Sequence, residues 1–313
     1  MKHPPYHLRT NKAVDRFMLI EAIRCLGLPA EIAQYTYYGF GGPYLEEFRL
    51  LHESFPDMKM VSIEENSETY KRQRFHIPCG HIRLKRTDFK SFLARYDSRG
   101  KKSIFWLDYI GLEYSQFEDF MSLLEMAAEG SIIKITLRAN PQDYMEDKDQ
   151  QEFGKKFGAI LPSSDVTVPQ NFEAFTALVQ DMLQIAAQQA LSSGTGFVYQ
   201  PISSFCYKDG VGICTITGIV CRRSELGNIR PLFAGLKFAN LDWVKPRRID
   251  VPFLSTKERL HLQKHLPCDQ NSGKNLVRIL GYLIDDDRVE SVSKMKQYSD
   301  FYRYYPHFIR ALP

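Results

Sequence analysis

Residues 34–64, QYTYYGFGGPYLEEFRLLHESFPDMKMVSIE, restrict the possible folds more than any other part of the chain. They read as strand, glycine turn, helix, strand. The stretch 34–38 is rich in β-favouring Tyr and Thr. Gly39, Gly41 and Gly42 permit a sharp turn in which the main chain can approach a ligand closely. Tyr44, Leu45, Phe48 and Leu51 then recur at helical spacing. The apolar run 59–64 follows and ends in an acid, Glu64. A parallel sheet places ligands at the carboxyl ends of its strands. The spacing therefore predicts that the glycine turn and Glu64 sit side by side in one crevice.

The alternation continues downstream. SIFWL at 103–107 and SIIKITL at 131–137 are short continuous apolar runs, as expected of strands covered on both faces. The first ends in Asp108-Tyr109. Between them Phe117, Phe120, Leu123 and Leu124 mark a helix, with Ser115 as its candidate cap. A short strand is expected at 82–84. Helices are expected at 67–74, 89–96 and 172–191, the second capped by Thr87 or Asp88. Residues 140–170, broken by Pro141, Pro162 and Pro169, read as an irregular excursion. Lys208-Asp209-Gly210 lies between two β-rich runs and signals a hairpin turn. Strands alternating with helices predict an α/β fold whose mostly parallel sheet ends in an antiparallel hairpin. The expected division is an N-terminal helical lid over 1–33, a sheet domain over 34–225 and a small helical appendage over 226–313.

With 44% hydrophobic and 25% charged residues, the chain can bury a core and is not of disordered composition. A net charge of +4 on 313 residues implies no strong nucleic-acid or membrane field. No apolar run approaches the length of a membrane span, and MKHPPYHLRTNK lacks the apolar region of a signal peptide. The six cysteines are scattered without a C-x-x-C pair, which suits reduced thiols in a cytoplasmic protein. His261, His265 and Cys268 share a spacing that a helix face could offer to a metal. Leu262 stands where the zinc-protease motif needs glutamate, so no metal is expected. The opening YHLRTNKAVDR gathers Arg9, Asn11, Lys12, Asp15 and Arg16, with Asn11 a candidate helix cap.

This order of parts resembles the class I S-adenosylmethionine-dependent methyltransferases over residues 34–222. Gly39-Phe40-Gly41-Gly42 looks like that superfamily's glycine turn beneath the methionine part of S-adenosylmethionine. Glu64 closes the second strand, where the superfamily's acid holds the ribose hydroxyls. Asp88 and Phe89 match the loop that reads adenine, and Asp108-Tyr109 ends the strand facing the transferred methyl. The usual acid ahead of the glycine turn is missing, because Tyr37 and Tyr38 stand there. Recognition of the cofactor's amino group is then expected from backbone carbonyls or from elsewhere. The YHLRTNKAVDR opening, Arg72-Gln73-Arg74-Phe75 with Pro78, and the YRYYPHF ending also look like a bacterial O-methyltransferase family across nearly the whole chain.

The resemblance implies a Rossmann-like sheet and methyl transfer to the oxygen of a small or nucleotide-like anionic acceptor. Asp108 would serve as base or acceptor-positioning group and Tyr109 would shape the site. Gly39, Phe40, Gly41, Gly42, Glu64, Asp88, Phe89 and Asp108 would bind the cofactor. Arg9, Asn11 and Lys12 would orient the acceptor. Two alternatives stay open. One is an RNA or DNA methyltransferase using Lys245, Arg247 and Arg248. The other is a partner protein that binds an adenosine nucleotide without catalysis.

Overall fold

The computed structural model describes residues 9–98, 100–163, 166–268 and 271–306. Tyr6, His7 and Leu8 of the opening, Arg99, and His307 and Phe308 of the ending lie outside the described residues. The strands are β1 (Thr36–Gly39), β2 (Lys59–Glu64), β3 (Ile82–Arg86), β4 (Ser103–Asp108), β5 (Ile132–Arg138), β6 (Phe197–Lys208), β7 (Gly212–Arg222) and β8 (Arg247–Arg248). Their order in the sheet is β3-β2-β1-β4-β5-β7-β6-β8. The first five run parallel, and β7 joins β5 antiparallel. This is the Rossmann-like sheet expected from the sequence, mostly parallel with a closing antiparallel hairpin. Its strand order reverses between β1 and β4, and such a switch point opens a crevice at the carboxyl ends.

The helices are α1 (Thr10–Arg24), α2 (Pro29–Ile32), α3 (Glu46–Ser54), α4 (Ser67–His76), α5 (Phe89–Leu93), α6 (Tyr114–Met126), α7 (Asp147–Phe157), α8 (Phe172–Ala190), α9 (Leu226–Ala234), α10 (Thr256–Gln263), α11 (Ser272–Leu280) and α12 (Arg288–Phe301). Caps set their starts. Asn66 accepts from the amides of Glu68 and Thr69, and Asn171 accepts from Ala174. The expected cap at Ser115 is displaced to Glu113, whose amide donates to Gln116 Oε1 at 3.1 Å. No helix among the described residues is long and apolar enough to cross a membrane.

The chain divides into two compact units. The larger is Leu19–Cys206 with Val211–Arg247, and the smaller is Met1–Met18, Tyr207–Gly210 and Arg248–Pro313. The divisions near 33 and 225 expected from sequence are therefore not where the structure parts. Residues 226–247 stay with the larger unit, where side-chain amides hold them: Gln200 Nε2 donates to Leu241 O, and Gln180 Nε2 to Trp243 O.

The core of the larger unit lies on one face of the sheet, where Phe105, Leu107, Ile133 and Ile135 meet Phe117, Phe120, Val179 and Leu183. Ile104 to Leu107 are all buried, on both faces of β4. Each such side chain contributes roughly 1.5–3 kcal/mol relative to exposure. That burial fixes β4, and with it the position of Asp108. In the smaller unit, Tyr305 Oη accepts from Leu254 N and donates to Pro252 O, each at 2.9 Å, so one tyrosine of the ending ties down the segment before α10.

Candidate functional site

The parallel register aligns the strand tips. Gly39 pairs with Ser62 on one side and Trp106 on the other, Glu64 with Arg86, and Asp108 with Thr136. The glycine turn, Glu64, Asp88, Phe89, Asp108 and Tyr109 thus come to one end of four adjacent strands. Glu64, Asp88 and Asp108 are all half-buried.

Glycine is required in the turn itself. Gly41 has φ +73° and Gly42 φ +51°, both in the left-handed region. A Cβ on Gly41 would stand 2.6 Å from Leu45 Cδ2 and 2.8 Å from Ser62 Oγ. Leu45, buried and also left-handed at φ 55°, leads into α3. The clamp on this turn is Gln73, a fully buried residue of α4 that the sequence reading quoted within Arg72-Gln73-Arg74-Phe75 without giving it a role. Its Nε2 donates to Phe40 O and Gly42 O, both at 2.9 Å, and its Oε1 accepts from Ser62 Oγ at 3.0 Å. Gly41 O accepts from Leu45 N at 3.0 Å. Three carbonyls of the turn, those of Phe40, Gly41 and Gly42, are therefore engaged within the protein. This weakens the expectation that they receive a ligand amine. The available signal for Gln73 was Ser62, a hydroxyl inside the otherwise apolar KMVSIE strand.

Aromatic rings join the strand tips. Phe40 meets Phe89 at 5.7 Å and Tyr109 at 5.2 Å between centroids, both edge to face. Tyr109 Oη donates to Asp119 Oδ2 at 2.7 Å. Burial, and then the Asp119 charge, push the Tyr109 phenol far above its ordinary range. It therefore holds its proton and is no base in this state. Asp119 is itself raised by burial, against the lowering effect of the Tyr109 bond.

The carboxylates differ. Burial raises Glu64 above the ordinary glutamate value, opposed by the Asn66 N–H that donates to Oε1 at 2.8 Å. Asp88 is lowered, chiefly by the Ser91 N–H at 2.7 Å, because it caps α5. Asp108 stands across from Thr136, whose hydroxyl accepts from Trp106 Nε1 at 2.9 Å. Two residues beyond Thr136, Arg138 grips Asp143 through Nε at 2.6 Å and Nη2 at 2.8 Å.

Arg9, Asn11 and Lys12 belong to the smaller unit. Asn11 is not the cap of α1, which already includes Thr10. Its Nδ2 donates to Lys208 O and Asp209 Oδ1, while its Oδ1 accepts from Val251 N at 2.9 Å. Lys12 N donates to Asp209 Oδ2 at 2.8 Å, so a hairpin-turn acid serves the first turn of α1. Arg9 lies within the electrostatic reach of that same carboxylate. Asn11 and Lys12 are only 5% and 7% exposed. Their burial and these bonds tie the start of α1 to the turn and to residue 251, which counts against an acceptor-binding role. The basic run is also engaged: Arg247 lies 4.5 Å over the Phe238 ring and Arg248 pairs with Asp250 at 2.7 Å. Among the described residues, no group of three or more His, Cys, Asp or Glu is gathered as a metal site.

No curated protein matches the sequence. Among solved structures, the chain is similar to Trm1 from Pyrococcus horikoshii in complex with S-adenosyl-L-methionine, at 10% identity, covering 94% of this chain and 79% of that one, with a TM-score of 0.49. It is similar to a "putative O-methyltransferase" from Klebsiella pneumoniae at 8% identity, covering 70% and 84%, with a TM-score of 0.40. It is also similar to the "putative transferase PH0793" from Pyrococcus horikoshii at 12% identity, with a TM-score of 0.39, covering 66% of this chain and 63%, less than two thirds, of that one. A family model described as "Putative O-methyltransferase" matches residues 4–313. That match spans nearly the whole sequence, and the chain belongs to this methyltransferase family.

Proposed function

We propose that the protein transfers a methyl group from S-adenosylmethionine to an oxygen of a small or nucleotide-like anionic acceptor. One observation carries the reading: the glycine turn is braced by Gln73 and has no room for a Cβ at Gly41, and the register brings Glu64, Asp88 and Asp108 to the same end of the sheet. These residues fit the cofactor. Gly39, Phe40, Gly41 and Gly42 would lie under its methionine part. Glu64, with acceptor lone pairs to spare, would take the two ribose hydroxyls. Asp88 spends one oxygen on its cap and keeps further acceptor capacity for the adenine amine, with the Phe89 ring beside it.

When bound, the cofactor supplies an electrophilic methyl on a sulfonium. The protein's share is to hold a nucleophile in line with it and to remove a proton. Asp108 is placed to accept that proton or to orient the hydroxyl. Tyr109, fixed by Asp119, closes the side of the crevice. An anionic acceptor needs a cation nearby. Arg138 fills this role better than Lys12, because it follows Thr136, the residue paired with Asp108, and donates through Nε and Nη2 to Asp143 while its guanidinium has further N–H groups. The engaged Arg247 and Arg248 favour a small acceptor over a nucleic-acid strand.

The test is incubation with methyl-labelled cofactor and fractionated cell extract. Label should pass to a small, base-stable but demethylase-sensitive ether or to an ester. Asp108→Asn should lower turnover roughly 100-fold or more while leaving cofactor affinity by calorimetry within about threefold. Unchanged turnover would remove Asp108 as the base. Failure to bind the cofactor at all would remove the whole reading.

A further inference from the structure

A cavity of about 470 Å³ lies at the opposite end of the same strands, against the face that carries the core. Its cause is a short helix. α5 has five residues, so it covers about 7.5 Å. The six-residue β2 beneath it spans about 20 Å. The amino-terminal half of β1, β2 and β3 is left open on this face. The register puts Val61 beside Arg83 and Ile63 beside Lys85, so β3 presents cations where a covered strand would present apolar side chains.

The lining is chemically one-sided. Lys59, Arg83, Lys85 and Arg95 face two carboxylates, Asp57 and Asp97. Among the described residues, none of these four cations forms an ion pair. Lys85 Nζ instead lies 5.2 Å over the Phe92 ring. The floor is aromatic: Tyr38 stacks on Phe105 at 4.6 Å and 11°, with Phe92 and Tyr96 at 5.5 and 5.7 Å. An edge strand gains protection from self-pairing by carrying lysine. That does not account for a concave site with a ring floor and a volume in the range of roughly 300–1,000 Å³ that small-molecule sites occupy.

We propose that this groove binds a phosphate-bearing nucleotide, free or within a strand, at a site separate from methyl transfer. The cations would meet the phosphates, and Arg83 and Arg95 offer forked donors suited to them. The ring floor would take the apolar face of the base. Inorganic phosphate alone would leave most of the volume unused.

The experiment uses the full chain with two probes: ATP without magnesium, followed by calorimetry, and a fluorescein-labelled oligouridylate, followed by anisotropy. Each is measured at about 50 and about 200 mM KCl, because phosphate contacts weaken steeply with salt. At least one probe should bind, weaken with salt, and persist when S-adenosylhomocysteine is present in excess. Arg83→Glu with Lys85→Glu should weaken that probe at least tenfold. Lys257→Glu on α10 with Lys264→Glu just after it, the same charge change elsewhere, should stay within about threefold. ATP binding with no preference for the oligonucleotide assigns a free nucleotide, and a hundredfold preference for the oligonucleotide assigns a strand. The proposal is overturned if neither probe binds at the lower salt, if both double variants weaken binding equally, or if S-adenosylhomocysteine displaces the probe. The last result would show that the nucleotide was occupying the cofactor crevice, which would leave the methyl-transfer reading intact.

Discussion

The glycine turn and the start of α1 are both polar, unusual in sequence and partly buried, yet they are built for opposite ends. At the start of α1, Asn11 uses its oxygen once and its nitrogen twice, and Asp209 uses both oxygens on the same helix turn. At the strand tips, Gln73 satisfies the Phe40 and Gly42 carbonyls of the turn, while among the described residues Glu64 is bonded through Oε1 alone and remains half-exposed. In the first place polar groups are spent on one another. In the second, a braced backbone leaves carboxylate capacity facing outward. Unusual residues in a sequence mark either outcome, and only the partners tell them apart.

The contrast can be broken by substitution. Gly41→Ala should have the largest effect. A left-handed φ and overlap with Leu45 and Ser62 together should cost roughly 2–4 kcal/mol and abolish cofactor binding. An unchanged urea midpoint would show that the turn is not rigid. Asn11→Asp comes next. It sets a second carboxylate against Asp209 Oδ1 and Lys208 O and should lower stability by about 2–3 kcal/mol, more than Asn11→Ala. If Asn11 instead bound the acceptor, KM would rise with stability intact.

Gln73→Ala sharpens the comparison. It should cost about 1–3 kcal/mol by stranding the Phe40 and Gly42 carbonyls, and it should weaken the cofactor without changing acceptor KM. Equal loss of both affinities would mean the turn touches the acceptor as well.

The smallest effect belongs to Glu64→Gln. Burial raises the folded-state value of Glu64, so its protonated form favours the fold. Stability from this group is present below the ordinary glutamate value and is lost as pH rises through the raised value. The glutamine variant should therefore match the wild type in acid, become slightly more stable than it at neutral pH, and bind the cofactor more weakly. A wild type that gains stability relative to Glu64→Gln as pH rises would reverse the sign.

Local sequence carried much of this. SIFWL and SIIKITL are strands because continuous apolar runs need cover on both faces, and the glycine turn is a turn because Gly41 and Gly42 adopt a left-handed φ at little cost. Asp88 was legible both as a cap and as a strand-tip acid. The clamping role of Gln73 was not legible beyond the hint of a serine in β2, since a glutamine on a polar helix shows its partners only once Ser62 and the turn are folded against it. Nor was the reach of α5, expected to run to Tyr96 but ending at Leu93, which opens the basic groove.

By itself, then, the sequence determined the alternation of strands and helices, the closing hairpin and the acids at the strand ends, because those follow from periodicity and from neighbours a few residues apart. The tertiary structure alone decided which polar groups are consumed and which stay available. Asn11 meets Asp209 across 198 residues, and Gln73 meets Phe40 across 33. A hydrogen bond over such a separation leaves no periodic trace in the chain, because it depends on geometry that exists only after the sheet has assembled.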